Sequence, residues 1–180
     1  MHPKEFYRNY LADDESSDLT NELIFLIRDE DPVHVLEFGC GTGKNLVQLE
    51  GWGICPIGID ISFINVATAK LKHGISCIVC ADESYLRNFV NIDVVFTVSV
   101  LDHIEDVDGI IQEFKRIANK AVFLAETNDV VAGYYYQHNY ESYGFKKLEF
   151  QYTGEDGASY YIWKWENKPA EPLSKTVYKF

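Results

Sequence analysis

Basic side chains are scarce. Lys and Arg total 16 against 28 Asp and Glu, a formal charge of −12 over 180 residues. A surface of that sign repels phosphate backbones, which excludes bulk nucleic-acid binding and leaves room only for a local basic patch. No stretch approaches the roughly 18 consecutive apolar residues of a membrane-spanning helix. The start of the chain is polar and acidic rather than leader-like, and only four cysteines occur: Cys40, Cys55, Cys77 and Cys80. The expectation is a cytoplasmic protein with free thiols and no membrane partner. Cys77 and Cys80 have the spacing of a C-x-x-C pair, but they lie in an apolar, strand-like run. Residues three apart on a strand face opposite sides, so no metal is expected there and both are read as small buried side chains. Internal repeats and low-complexity blocks are also lacking.

What is present suits one globular domain. Apolar residues reach 47% and charged residues 24%, enough for a core and too mixed for a disordered chain. Ser17 or Asp18 is placed to cap a helix with Leu19, Leu23, Ile24 and Ile27 at helical spacing, stopped by Pro32. From there strands and helices alternate. Strands are predicted at 33–38, 54–59, 75–81, 92–100 and 121–125. Helices are predicted after Gly43, from Ser62 to about Lys72 with Gly74 as terminator, at 83–89, and at 107–117. Beyond residue 126 the pattern changes. Runs 146–152 and 160–165 alternate apolar and polar residues around Thr153-Gly154-Glu155-Asp156-Gly157, which predicts a hairpin. The domain reading is an N-terminal lid and helix at 1–32, a main α/β domain at 33–166 and a loose tail at 167–180.

Five β-α units with right-handed crossovers make a parallel sheet covered on both faces. Ligands of such sheets sit beyond the carboxyl ends of the strands. The first strand ends in Glu37-Phe38-Gly39-Cys40-Gly41-Thr42-Gly43. Its G-x-G-x-G spacing departs from the dinucleotide G-x-G-x-x-G, and Glu37 is a poor neighbour for a pyrophosphate but a good one for an amino group. The second strand ends in Asp60, a carboxylate able to accept from both hydroxyls of a ribose, or else to cap the next helix. The third ends in Asp82, which suits an exocyclic adenine amine or, again, a cap.

Taken together, VLEFGCGTG (35–43), GIDIS (58–62), Asp82 and IDVVFTVSVLDHIEDV (92–107) resemble class I S-adenosylmethionine-dependent methyltransferases. The resemblance implies a Rossmann-like α/β three-layer sandwich: a seven-stranded, mostly parallel sheet with an antiparallel C-terminal hairpin strand. It implies S-adenosylmethionine as cofactor and S-adenosylhomocysteine as product. The backbone at Gly39, Cys40 and Gly41 would cradle the methionine part, with Asn45 lining the same end. Glu37 would hold the amino group, Asp60 the ribose, and Asp82 the adenine amine. Ile61 would pack on the adenine, and Ser99 would pass near the sulfonium. GCGTGKNL (39–46), FTVSVLDHI (96–104) and KAVFLAE (120–126) are similar to small methyltransferases of surface-sugar and capsule biosynthesis.

Methyl transfer to a hydroxyl needs proton removal. His103, just past strand four, is the leading base candidate because an ordinary imidazole titrates near neutrality. Asp102 would orient it, and Glu126 is the second candidate. The acceptor end falls on the aromatic run 133–140, where Tyr134, Tyr136 and His138 are pocket candidates, with Tyr10 reaching over from the N-terminus. A small soluble acceptor, a sugar or sugar nucleotide, is the leading reading, with methylation at O or N. A peptide acceptor, a catalytically inactive cofactor-binding subunit and a nicotinamide dehydrogenase are the alternatives. A homodimer partner is a further candidate, as a missing pocket wall.

Overall fold

The structure, a computed structural model, describes residues 3–12, 17–127, 129, 136–154 and 157–167. Helix α1 is Pro3–Tyr7 and α2 is Asp18–Asp29; strand β1 is His34–Phe38 and α3 is Lys44–Glu50. Then come β2 (Cys55–Asp60), α4 (Phe63–His73), β3 (Ile78–Cys80), β4 (Ile92–Val98), α5 (Asp108–Ile117), β5 (Ala118–Thr127), β6 (Lys146–Thr153) and β7 (Ser159–Glu166). Short 3₁₀ turns cover Glu83–Asn88, Leu101–His103 and Tyr140–Tyr143.

The seven strands run in the order β3-β2-β1-β4-β5-β7-β6. Strands β1 to β5 are mutually parallel, and β7 is antiparallel to both β5 and β6. The chain direction across the sheet reverses between β1 and β4, so the crevice for a ligand opens there.

Strand periodicity decides which helix each strand residue meets. Val94 and Phe96 of β4, and Ala121, Phe123 and Ala125 of β5, pack with Leu23, Ile24 and Ile27 of α2. Their neighbours Val95, Val122 and Leu124 pack on the opposite face with Ile110, Ile111, Phe114 and Ile117 of α5. Each of the Val, Leu, Ile and Phe side chains among them contributes about 1.5–3 kcal/mol by leaving water. The start of α2 is set by a reciprocal cap: Ser17 Oγ accepts from the Thr20 N–H at 3.3 Å, and Thr20 Oγ1 accepts from the Ser17 N–H at 2.9 Å.

Strand β3 is shorter than its apolar run suggests. Ile75 turns down instead, fully buried against Ala69 of α4 and Ile78. Cys77 and Cys80 are exposed among the described residues, which corrects their expected burial: β3 is the edge strand of the sheet, with a neighbouring strand on one side only. Tyr134 and the tail 168–180 lie outside the described residues.

Candidate active site

A cavity of about 710 Å³ opens along the carboxyl ends of the strands. Its lining falls into two halves. Around the tips of β1, β2 and β3 it is polar and charged: Glu37, Gly39 to Gly41, Asn45, Asp60, Ile61 and Asp82. Beyond the tip of β4 it is lined by Leu19 and Thr20 of α2, Ile104, and Tyr152 and Tyr160 of the hairpin. Ser99, Val100 and His103 stand between the halves.

The loop after β1 is built to approach a ligand closely. Gly39 has φ +74°, and a Cβ there would stand 2.3 Å from Val100 Cγ2. Gly41 has φ +53°, and a Cβ would meet Ala12 at 2.9 Å. Only glycine accepts both the conformation and the contact. Three of the loop's N–H groups are already committed. Gly39 and Cys40 donate to the Ile59 carbonyl at 2.8 and 3.0 Å, and Gly41 donates to Asp60 Oδ2 at 2.8 Å. A pyrophosphate needs such donors unspent. With them consumed, this loop suits a cationic or neutral ligand.

Glu37 sharpens that preference. It is 1% exposed. Its Oε1 accepts from Asn45 Nδ2 at 2.7 Å, while Oε2 and Asn45 Oδ1 are buried with no hydrogen-bond partner among the described residues. Burial pushes the Glu37 carboxyl up to about 8. Two orphaned acceptors side by side on the cavity wall call for a donor with several N–H groups, and an ammonium supplies three.

Asp60 does two jobs. Its Oδ2 holds Gly41, and its Oδ1 accepts from the Ser62 N–H at 2.8 Å and from Asn65 Nδ2 at 3.2 Å. Three of a carboxylate's about four lone-pair directions are thus spent on shaping the loop, and one is left for a ligand hydroxyl. Burial raises its pKa from the ordinary value. Asp82 Oδ1 caps the following 3₁₀ turn through the Ser84 N–H and hydroxyl, at 3.0 and 2.7 Å. Those bonds hold its pKa below the ordinary value, so a charged acceptor faces the cavity at this tip.

The N-terminal arm lies over this half. The Ser62 hydroxyl donates to the Tyr10 carbonyl at 2.9 Å, the Ala12 N–H donates to Asn65 Oδ1 at 2.9 Å, and Lys4 pairs with Glu83. Tyr7 and Tyr10 both line the cavity, and the Tyr7 ring centroid is 4.8 Å from that of His103. The His103 side chain is 18% exposed, with Nε2 3.5 Å from Oδ1 of the fully buried Asp102.

Other candidates stand elsewhere. Glu126 is fully buried and is not among the cavity's lining residues; it lies behind the β4 tip, where it accepts from backbone N–H groups. Tyr136 and His138 do not line the cavity either; they bond the loop that carries His103. Sequence reasoning missed Leu19, Thr20, Tyr152 and Tyr160. The alternation of β6 and β7 marked their two tyrosines as strand residues, but only the sheet order brings the hairpin turn beside the β4 tip. Among the described residues, no group of three His, Cys, Asp or Glu is placed to hold a metal, and no helix is long and apolar enough to cross a membrane.

Comparison with known proteins agrees with this architecture. Residues 36–125 match the methyltransferase domain family, and the chain belongs to it. It is 28% identical over 121 residues to a ubiquinone biosynthesis O-methyltransferase of Pelagibacter ubique (strain HTCC1062), a match covering 61% of this chain and 50% of that protein. The chain thus spans about half the length of that curated relative. Among solved structures, magnesium protoporphyrin IX methyltransferase from Synechocystis PCC 6803 with bound S-adenosylhomocysteine superimposes with a TM-score of 0.72, at 17% identity, covering 92% of this chain and 100% of that one. The N-methyltransferase NodS from Bradyrhizobium japonicum WM9, in complex with S-adenosylhomocysteine, gives 0.70 at 15% identity, covering 94% and 100%. At these identities the likeness is one of fold.

Proposed function

We propose that the protein is an S-adenosylmethionine-dependent methyltransferase acting on an O or N atom of a small acceptor. The observation that carries the reading is the orphaned acceptor pair, Glu37 Oε2 and Asn45 Oδ1, beside a glycine loop with three of its N–H groups spent. That chemistry fits the amino group of the cofactor's methionine part and rejects a pyrophosphate. Asp60 would take a ribose hydroxyl, Asp82 the adenine amine, and Ile61 the adenine face. Gly39, Cys40 and Ser99 would line the path toward the sulfonium. When bound, the cofactor supplies a methyl group already activated on sulfur. The protein's share is then mainly alignment, worth about 7–11 kcal/mol of barrier.

His103 is the residue we assign to proton removal from a hydroxyl acceptor. Asp102, with Oδ1 3.5 Å from His103 Nε2, would orient the imidazole. Tyr10, Tyr152 and Tyr160 offer ring faces and hydroxyls to the acceptor. Lys4, paired with Glu83, and Lys44 are the lysines of the described lining; the surface beyond the β4 tip, formed by Leu19, Thr20, Ile104, Tyr152 and Tyr160, is uncharged. An uncharged hydroxylated ring, such as a sugar, suits it. A sugar nucleotide would bring a diphosphate to a lining in which four carboxyl residues, Glu37, Asp60, Asp82 and Glu83, stand against two lysines, Lys4 and Lys44. The test is methyl transfer from labelled cofactor to matched sets of sugars, phenols, amines, sugar nucleotides and peptides. Turnover of uncharged rings is the expected result, and transfer confined to peptides or phosphorylated acceptors would overturn the acceptor assignment.

A further inference from the structure

The segment at residues 100–104 leaves the tip of β4 and carries three cavity-lining residues, Val100, His103 and Ile104. Its backbone is gripped from both sides by residues far away in sequence. On the N–H side stands Glu126, near the end of β5 and fully buried. Its Oε2 accepts from Val100 at 3.0 Å, Leu101 at 3.2 Å and Asp102 at 3.4 Å, and Oε1 lies 3.3 Å from the Val100 N–H. On the carbonyl side stands the segment after β5. The Tyr136 N–H donates to the Asp102 carbonyl at 2.7 Å. His138 Nε2 lies 2.9 Å from the Leu101 carbonyl and 3.0 Å from that of Ile104. Carbonyl oxygens only accept, so Nε2 carries the proton and shares it between the two.

Burying the Glu126 carboxylate is costly. Asp102 is close enough to push the same way as burial, and the Tyr140 hydroxyl, buried without a partner among the described residues, lies in the same region. An apolar side chain would fill that space at lower cost. It could not accept three successive N–H groups. What Glu126 supplies is therefore placement of the segment, and two cavity features depend on that placement. Val100 sits on Gly39 so closely that a Cβ would clash, and His103 stands against Tyr7.

We propose that Glu126 and His138 are positioning residues for the transfer site: together they clamp residues 100–104 so that His103 is presented to the acceptor and Val100 closes over the glycine loop. The assignment rests on the methyltransferase reading above. Neither residue touches the cavity, so neither is a catalytic residue.

The test compares the full chain with Glu126→Ala, Glu126→Gln, His138→Ala and His138→Gln. The first readout is the proton NMR contact between the His103 and Tyr7 rings, which needs no acceptor. The second is S-adenosylhomocysteine binding by calorimetry, and the third is kcat on an acceptor from the screen. Both alanine variants are expected to lose the ring contact and about 100-fold in kcat, with cofactor-product affinity within tenfold of wild type. Both glutamine variants should keep the contact and recover most of kcat, because the amide oxygen still accepts and the amide nitrogen still donates. His138 is only half-buried, so its variants carry the test should Glu126→Ala not fold. Persistence of the ring contact in His138→Ala, or glutamine variants no better than alanine, would overturn the clamp. Failure of the wild type to bind S-adenosylhomocysteine would instead overturn the methyltransferase reading and leave the ring-contact result standing.

Discussion

Glu37 is where residue chemistry and ligand choice meet. Burial lifts its folded-state pKa from the ordinary 4.5 to about 8. Between those values the folded protein holds a proton that the unfolded chain has released. The contribution of this carboxyl to stability therefore falls as pH rises from about 4.5 to about 8. A ligand ammonium reverses the preference by favouring the carboxylate. Binding S-adenosylhomocysteine at pH 7 should then release a proton from Glu37, and affinity should rise from pH 6 to 8. Calorimetry in buffers of different ionisation enthalpy reads the proton directly, and Glu37→Gln should abolish it. No proton release in the wild type would contradict the pairing. For His103, substitution by alanine should lower turnover of a hydroxyl acceptor by about 10²–10⁴-fold, the usual worth of a positioned base. Calorimetry should show cofactor affinity little changed, and unchanged turnover would reject the role. Glu37, Asp60 and Asp82 were legible in sequence because each stands at a strand tip that hydrophobic patterning locates. What was not legible is how their oxygens are shared. That Asp60 spends three acceptor directions on Gly41, Ser62 and Asn65 depends on the turn geometry of two separate loops.

At the scale of elements, the glycine loop and the tip of β4 act as one unit because Val100 packs into the space that Gly39 leaves. Gly39→Ala would add a Cβ to that contact and force an L residue to φ +74°. It should abolish S-adenosylhomocysteine binding while leaving the far-UV circular dichroism of the folded sheet. Retained affinity would show that the loop need not come so close. Phe114→Ala, by contrast, removes a fully buried ring between α5 and the sheet. It should cost about 3–5 kcal/mol in urea unfolding, and a loss below about 1 kcal/mol would contradict that core role. The alternating β-α order could be read in advance since α2 and α5 carry apolar stripes and β2, β4 and β5 apolar runs. The acceptor wall could not. Tyr152 and Tyr160 reach the cavity only because β7 inserts between β5 and β6, a pairing set by long-range contacts. Tyr136 and His138 stood in an aromatic run that looked like pocket lining, and they serve instead to bond the loop beside it. Cys77 and Cys80 read as core because their run is apolar, yet an edge strand leaves one side open.

Across the whole molecule, the charge of −12 now has structure. Part of it is placed where a ligand cation and sugar hydroxyls would sit, in Asp60 and Asp82, and Glu37 adds to it once a ligand ammonium displaces its proton. Leu19, Thr20, Ile104, Tyr152 and Tyr160, beyond the β4 tip, carry none of it. A protein of this net charge also repels anionic acceptors at long range, so an unphosphorylated acceptor should be turned over at least tenfold faster than its phosphate ester, with the gap narrowing as salt is raised. The claim on which all else depends is that this cavity is made for an adenosyl amino acid and not for a dinucleotide. Calorimetric titration of the full chain with S-adenosylhomocysteine and, separately, with NAD tests it most directly. Saturable one-to-one binding of S-adenosylhomocysteine, weakened by Asp60→Asn, with no heat from NAD, is the predicted result. Binding of NAD, or no binding of S-adenosylhomocysteine, would contradict it.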